Sequence, residues 1–238
     1  MKSLKTRLVL SFSVLIFVLA ALTFIVTFQE TKVVLKGLCQ SEALSLASVI
    51  AADLNGKDGD TLRMLKPGDE TSSDFIALRD KLKRFEEAHP DILYVYTLNK
   101  VDNEIHYAVD AEFGDQYNPG GSIGEKFDTN SEALVQGFEQ PASEDDYIID
   151  RGGSMMSGYA PIRDSKNEIV GVVDVDVNTS SVTQKQNFLE ATIFLIFGIG
   201  ILIAGLMIFM FFKTPITDAN NNESSESNES NESNDITV

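Results

Sequence analysis

Tryptophan is absent from this sequence, cysteine occurs once and histidine twice. A lone cysteine, Cys39, excludes an intrachain disulfide and a thiolate metal cluster. It falls on an apolar helical stripe, where a small packed thiol is its expected role. His89 and His106 are too few for a histidine-rich metal site. No Ser/His/Asp set, phosphate-cradling glycine loop or zinc-ligand spacing is present. We therefore expect no enzymatic activity, no metal and no cofactor. Basic residues are scarce as well: 19 Lys and Arg stand against 36 Asp and Glu, a net charge of −17. So acidic a chain does not bind nucleic acid or anionic headgroups through its net charge.

What the sequence does have is two long uncharged apolar runs, at residues 8–28 and 192–212. At ~1.5 Å rise per residue, each is long enough to cross a hydrocarbon core of ~30 Å. The first exceeds the usual signal-peptide core of ~7–15 residues and has no small-x-small site after it, so it is expected to stay as an anchor. Lys2, Lys5 and Arg7 precede it with no acid to offset them, which predicts a cytoplasmic N-terminus. A second crossing returns the chain to the cytoplasm at Lys213. The segments carry +3 before the first run, −15 over residues 29–191 and −5 after residue 212. The expected organisation is a cytoplasmic N-terminus at 1–7, a transmembrane helix at 8–28, an extracytoplasmic domain at 29–191, a second transmembrane helix at 192–212 and a cytoplasmic tail at 213–238. The tail's Asn, Glu and Ser repeats cannot build a core and are expected to be disordered.

Between the two runs the periodicity changes twice. Leu35, Cys39, Ala43, Leu46, Ile50 and Leu54 recur at helical spacing, and nothing breaks the pattern before Asn55. This predicts one long helix that leaves the membrane and stops at Gly56–Gly59. A second helix at 72–88 puts Phe75, Leu78, Leu82 and Phe85 on one face, with Ser73 or Asp74 as cap and His89–Pro90 as terminator. Residues 91–99 and 104–112 then alternate as strands around a short KVDN connection. A Gly- and Pro-containing loop at 113–125 follows, then a short helix at 129–138 capped by Thr129, Asn130 or Ser131. Strands are expected at 145–150, 154–163 and 168–178, with Arg151-Gly152-Gly153 and Ser165-Lys166-Asn167 as turns. The predicted fold is α+β: a long N-terminal helix packed on a five-stranded antiparallel sheet.

The strings YVYTLN, YAVDAEFGD and DRGGSMMSGYAPIRDSKNEIVGVVDVDV resemble the Cache family of extracytoplasmic sensors, also called PDC or PAS-like, in its single-module form. The resemblance covers roughly residues 30–180, and the last 35 residues of that stretch are its most specific part. It implies a PAS-like sheet between two membrane helices, a ligand held under the 113–145 segment and signalling to a cytoplasmic module. The amino-acid-binding subset of that family carries an Arg-x-Trp-Tyr string, which this tryptophan-free chain lacks. The chain also departs from the family after the second run. Lys213-Thr214-Pro215-Ile216 is like the start of a HAMP linker but passes into the acidic tail, so signalling is expected to need a separate protein.

Alternation nominates the ligand-facing residues. In the last strand Ile169, Gly171, Val173, Val175 and Val177 form an apolar row for the long helix, which turns Val172, Asp174 and Asp176 the other way. In the second strand Ile105, Tyr107, Val109 and Ala111 oppose His106, Ala108 and Asp110. Ser157 and Tyr159 share a face of the fourth strand. Tyr94 and Tyr96 are expected to add aromatic walls. The candidate ligand-binding set is Tyr94, Tyr96, His106, Asp110, Ser157, Tyr159, Asp174 and Asp176. Its aspartates favour an amine or cation over a carboxylate, for which only Arg151 and Arg163 lie nearby. Two readings stay open. One is a membrane-anchored sensor that detects a small solute, pairs as a homodimer through the long helix and acts through a signalling partner. The other is a membrane-anchored structural or assembly protein that uses the domain to bind other proteins.

Overall fold

The computed structural model describes residues 4–150 and 153–213. Arg151 and the tail beyond Lys213 lie outside the described residues, as do the Arg151-Gly152 part of the expected turn and the expected disorder of the tail. Among the described residues, two helices are long and apolar enough to cross a membrane. The first, α1 (Leu4–Leu54), is one uninterrupted helix that includes both the first apolar run and the amphipathic stripe behind it. The second, α5 (Ser180–Lys213), starts a dozen residues before its apolar run. The folded unit is Leu22–Thr192.

Within that unit α1 ends where Asn55 and Gly56 turn the chain. Gly56 has φ +82°, its N–H donates to the Arg163 carbonyl at 2.8 Å, and Asn55 Oδ1 accepts from the Arg163 N–H at 2.7 Å. Helical structure does not stop there, as the glycines had suggested. It restarts at once as α2 (Lys57–Met64). Gly59 is buried in it because a Cβ at that position would lie 2.3 Å from the Arg163 carbonyl oxygen, so this glycine serves close approach and not helix termination. Helix α3 (Ser73–Ala88) begins one residue later than its cap, which is Ser72: its Oγ accepts from the Phe75 N–H at 3.1 Å.

The strands are β1 (Ile92–Val101), β2 (Glu104–Asp110), β3 (Ala142–Ser143), β4 (Ile148–Asp150), β5 (Gly153–Arg163) and β6 (Ile169–Asn178), and α4 (Glu132–Gly137) lies between β2 and β3. They form one antiparallel sheet in the order β2-β1-β6-β5-β3, with β4 also paired to β5. The sheet therefore has one more strand than expected, the two-residue β3, too short to show a period. Asp102 and Asn103, at φ 50° and 70°, close the β1–β2 hairpin as a primed two-residue turn. Ser131 caps α4.

The sheet has two unlike faces. On one, Val173, Val175 and Val177 of β6 pack with Val95 and Val109 against Ala43, Ala47 and Ile50 of α1 and Phe75 and Leu82 of α3. Gly158 lets α1 sit directly on β5, since a Cβ there would come within 2.3 Å of the Ala43 backbone. On the other face a smaller cluster of Leu98, Ile105, Leu134, Tyr159 and Val172 is roofed by α4. Beside that cluster the sheet is open.

Candidate ligand cavity

The open part of this second face is a cavity of about 610 Å³. Its floor is made of cross-strand neighbours. Asp176 lies opposite Tyr94 on β1 and Ser157 on β5, and Asp174 lies opposite Tyr96 and Tyr159. Cross-strand pairs share a face, so the register brings these six side chains to one side of the sheet. Tyr107 and Asp110 of β2, Met155, Ile148 and the 118–129 segment complete the walls. Tyr96, Tyr107 and Phe127 pack with ring centroids 5.3 to 5.7 Å apart.

Seven of the eight nominated residues line this cavity: Tyr94, Tyr96, Asp110, Ser157, Tyr159, Asp174 and Asp176. His106 does not. The reason is a β-bulge: Thr97 pairs with Val109 and Leu98 with Tyr107, leaving Ala108 as an extra residue. Thr97 fills the bulge, its Oγ1 accepting from the Val109 N–H at 2.9 Å and donating to the Val109 carbonyl at 3.2 Å. The extra residue reverses the phase of the strand. Tyr107 and Asp110 consequently share the cavity, although strict alternation had set them on opposite faces. His106 is left pointing away from it, with Nε2 3.9 Å from Glu104 Oε2. Tyr107, Phe127, Met155, Ile148, Glu112 and Glu125 were not nominated. The bulge hid the first, and nothing local in the sequence assigns the loop residues to a wall.

Asp110 acts as a clamp on the covering loop. Its Oδ2 accepts from the Gly121 N–H at 2.7 Å and its Oδ1 from the Glu112 N–H at 2.9 Å. Gly121 passes directly over the Tyr107 ring, where any Cβ would clash at 2.3 Å. Burial raises the Asp110 carboxyl above its usual range, and these two backbone donors oppose the rise. Asp176 accepts from the Ser157 hydroxyl at Oδ1 and from the Tyr96 hydroxyl at Oδ2, the latter at 3.3 Å. Tyr159 donates to Glu144 Oε1 at 2.8 Å, and Ser131 donates to the same oxygen. The Glu144 carbonyl accepts from Gln40 of α1 at 2.9 Å, so the wall and the long helix share one residue.

Asp174 differs from its neighbours. It is 1% exposed, and its Oδ1 has no hydrogen-bond partner in the protein. Burial holds its carboxyl well above the usual carboxylate range, the nearby charge of Asp176 adds to this, and hydrogen bonding from Tyr96 works against it. The Tyr96 hydroxyl is raised too, first by burial and then by Asp174 and Asp176. Among the described residues no Lys, Arg or His side chain lines the cavity, while five carboxylates do: Asp110, Glu112, Glu125, Asp174 and Asp176. Glu112 has a cationic partner, Lys83 of α3.

No family model matches the chain, and no curated protein matches it either. Solved sensor domains do align with it. The sensor domain of the Vibrio cholerae histidine kinase DctB is 14% identical with a TM-score of 0.46, over 69% of this chain and 57% of that one. The Escherichia coli DcuS sensor domain is 16% identical with a TM-score of 0.41, over 65% and 98%. The ligand-binding domain of the Campylobacter jejuni chemoreceptor Tlp3, solved with 4-methylisoleucine, is 12% identical with a TM-score of 0.42, over 76% and 62%. The chain thus spans less than two thirds of the DctB and Tlp3 domains.

Proposed function

We propose that this protein is a membrane-anchored receptor whose extracytoplasmic domain binds a small cationic solute in the cavity and relays its occupancy to a separate signalling protein. The observation that carries this is Asp174: a carboxylate 1% exposed, with one oxygen unpartnered, in a cavity that no basic side chain lines among the described residues. A buried acceptor in that condition costs free energy, and a cation supplied from outside removes the cost. A membrane-anchored assembly protein has no need of such a feature. The basic residues before the first apolar run support an extracytoplasmic placement of the domain. Pairing of two copies through α1 belongs to the same proposal, and Val34, Leu38 and Val49, 56%, 61% and 60% exposed on the helix, support it. Single cysteines placed along 33–40 should then crosslink with helical period.

The test is thermal melting of the full chain in lipid nanodiscs at neutral pH. Millimolar n-butylammonium and tetramethylammonium chlorides are compared with sodium butyrate and sodium chloride. The expected result is a raised midpoint with either organic cation and none with butyrate, since a ligand at ~100 times its Kd adds ~2.7 kcal/mol. A shift with butyrate alone overturns the proposal.

A further inference from the structure

Two of the carboxylates on the cavity floor are unequal in what they still need. Asp176 already accepts from two hydroxyls, one at each oxygen. Asp174 Oδ1 accepts from nothing in the protein. A positive charge alone would ease Asp174 electrostatically but would leave that oxygen without a hydrogen bond. A ligand that brings its own N–H or O–H donors completes it, and an ammonium does so while also supplying the opposite charge, because charge-assisted bonds form along a donor direction. A quaternary ammonium has no N–H. A hard divalent cation requires about six or more oxygen ligands. Among the described residues, no three acidic, cysteine or histidine side chains converge so as to hold a metal ion.

The rest of the cavity constrains the rest of the ligand. Tyr94, Tyr96, Tyr107, Phe127, Ile148 and Met155 present apolar surface around the floor. Among the described residues no lining side chain is a cation, and Lys83 is engaged by Glu86 and Glu112. Arg163 is turned to its own loop, where Nη1 donates to the Asn167 carbonyl at 3.1 Å. A carboxylate on the ligand would therefore lie unpaired beside Asp174 and Asp176, at the cost of a desolvated like charge.

We infer that the ligand is a primary amine on an apolar body with no carboxylate of its own, its ammonium bonded to Asp174 Oδ1 and its chain lying along the tyrosine walls. This rests on the cationic-ligand reading above and narrows it. The geometry separates such amines from α-amino acids, which differ by one carboxylate, and from quaternary ammonium ions, which differ by the loss of every N–H.

The experiment is isothermal calorimetry on the full chain in nanodiscs with three matched probes: n-pentylamine, N,N,N-trimethylpentylammonium and L-norleucine, which is pentylamine with a carboxylate added. Pentylamine is expected to bind, and each of the other two about tenfold more weakly or worse, the loss of one charge-assisted hydrogen bond or the burial of one unpaired charge. The Asp174→Asn variant, checked for folding by its own melting curve, is expected to lose the preference for pentylamine over the trimethylated probe. Equal binding of the trimethylated probe overturns the inference and leaves the cationic reading standing. Equal binding of norleucine overturns it as well. Absence of pentylamine binding also overturns it. In that case the melting comparison of tetramethylammonium with butyrate decides separately whether the broader reading survives.

Discussion

On one face of β6, Val173, Val175 and Val177 are buried against two helices. On the other, one residue away each time, Asp174 and Asp176 are just as buried on the floor of a cavity, between tyrosines of the neighbouring strands. The valines have their partners. Their side chains meet Ala43, Ala47, Phe75 and Leu82, and Thr97 beside them is satisfied within the bulge, while Asn99 Oδ1 and His106 Nδ1 at the far end of that face are buried without a partner. The aspartate face is unfinished: one carboxylate oxygen is without a donor, and the charge is of a single sign. The difference separates what folding requires from what a ligand can complete. Mutations on the two faces should therefore move stability in opposite directions.

The largest expected effect is on the valine side. Phe75→Ala empties a fully buried ring site beside Phe113, whose ring stands edge-on at 5.3 Å, and should lower unfolding free energy by about 3–5 kcal/mol. Chemical denaturation of the full chain measures it. A loss well under 1 kcal/mol would mean that the helices hold the sheet far more loosely than their packing implies.

The opposite sign is expected on the aspartate side. Asp174→Asn preserves shape and replaces a carboxyl that burial forces to hold its proton, a cost the unfolded chain does not bear, so the protein without added amine should become more stable by about 1–3 kcal/mol. The same raised carboxyl predicts a coupling between ligand and proton. Asp174 keeps its proton at pH values where an exposed aspartate has lost it, and an arriving ammonium favours the ionised form. Amine binding should then release a proton and tighten as pH rises. Calorimetry in buffers of different ionisation enthalpy reads the release directly. If Asp174→Asn destabilises the protein instead, the two faces are not the opposites described above.

The valine row of β6 and its aspartates were legible because a strand buried on both faces still obeys period 2, and five alternate apolar residues orient it without further help. The long helix was legible for the same reason at period 3.6. The phase of β2 was not. A bulge is one inserted residue, and Ala108 differs in no local way from a regular strand alanine, so His106 and Tyr107 were exchanged between faces. The restart of helix at Lys57 was hidden because Gly59 serves a contact with Arg163, more than a hundred residues away in sequence. The clamp from Asp110 to Gly121 depends on a loop path that no periodicity encodes. The floor of the cavity was thus readable from pattern, whereas its walls are set by tertiary contacts.

A smaller effect tests the border between the two faces, where α3 meets the loop that follows β2. Lys83 Nζ lies 3.0 Å from Glu86 Oε1 and also pairs with Glu112, so a single ammonium serves two carboxylates. Glu86 Oε2 is buried without a partner. Burial pushes the Glu86 carboxyl up to about 7, with Lys83 opposing the rise and Glu112 adding to it. The sign of the pH dependence follows from which state holds the proton. Below the ordinary glutamate range, folded and unfolded chains both bind it, and the group contributes no difference. As pH rises from there toward about 7, the unfolded chain has released the proton while the folded chain retains it, so stability falls across that window and levels off above it. Solvent screening at this partly open site limits the fall to on the order of 1 kcal/mol. Glu86→Gln should flatten the stability curve between the ordinary glutamate value and about 7, leaving the slopes outside that window unchanged. Denaturation midpoints taken at closely spaced pH values would reveal it. A variant whose curve parallels the wild type through the window would show that Glu86 does not hold the proton.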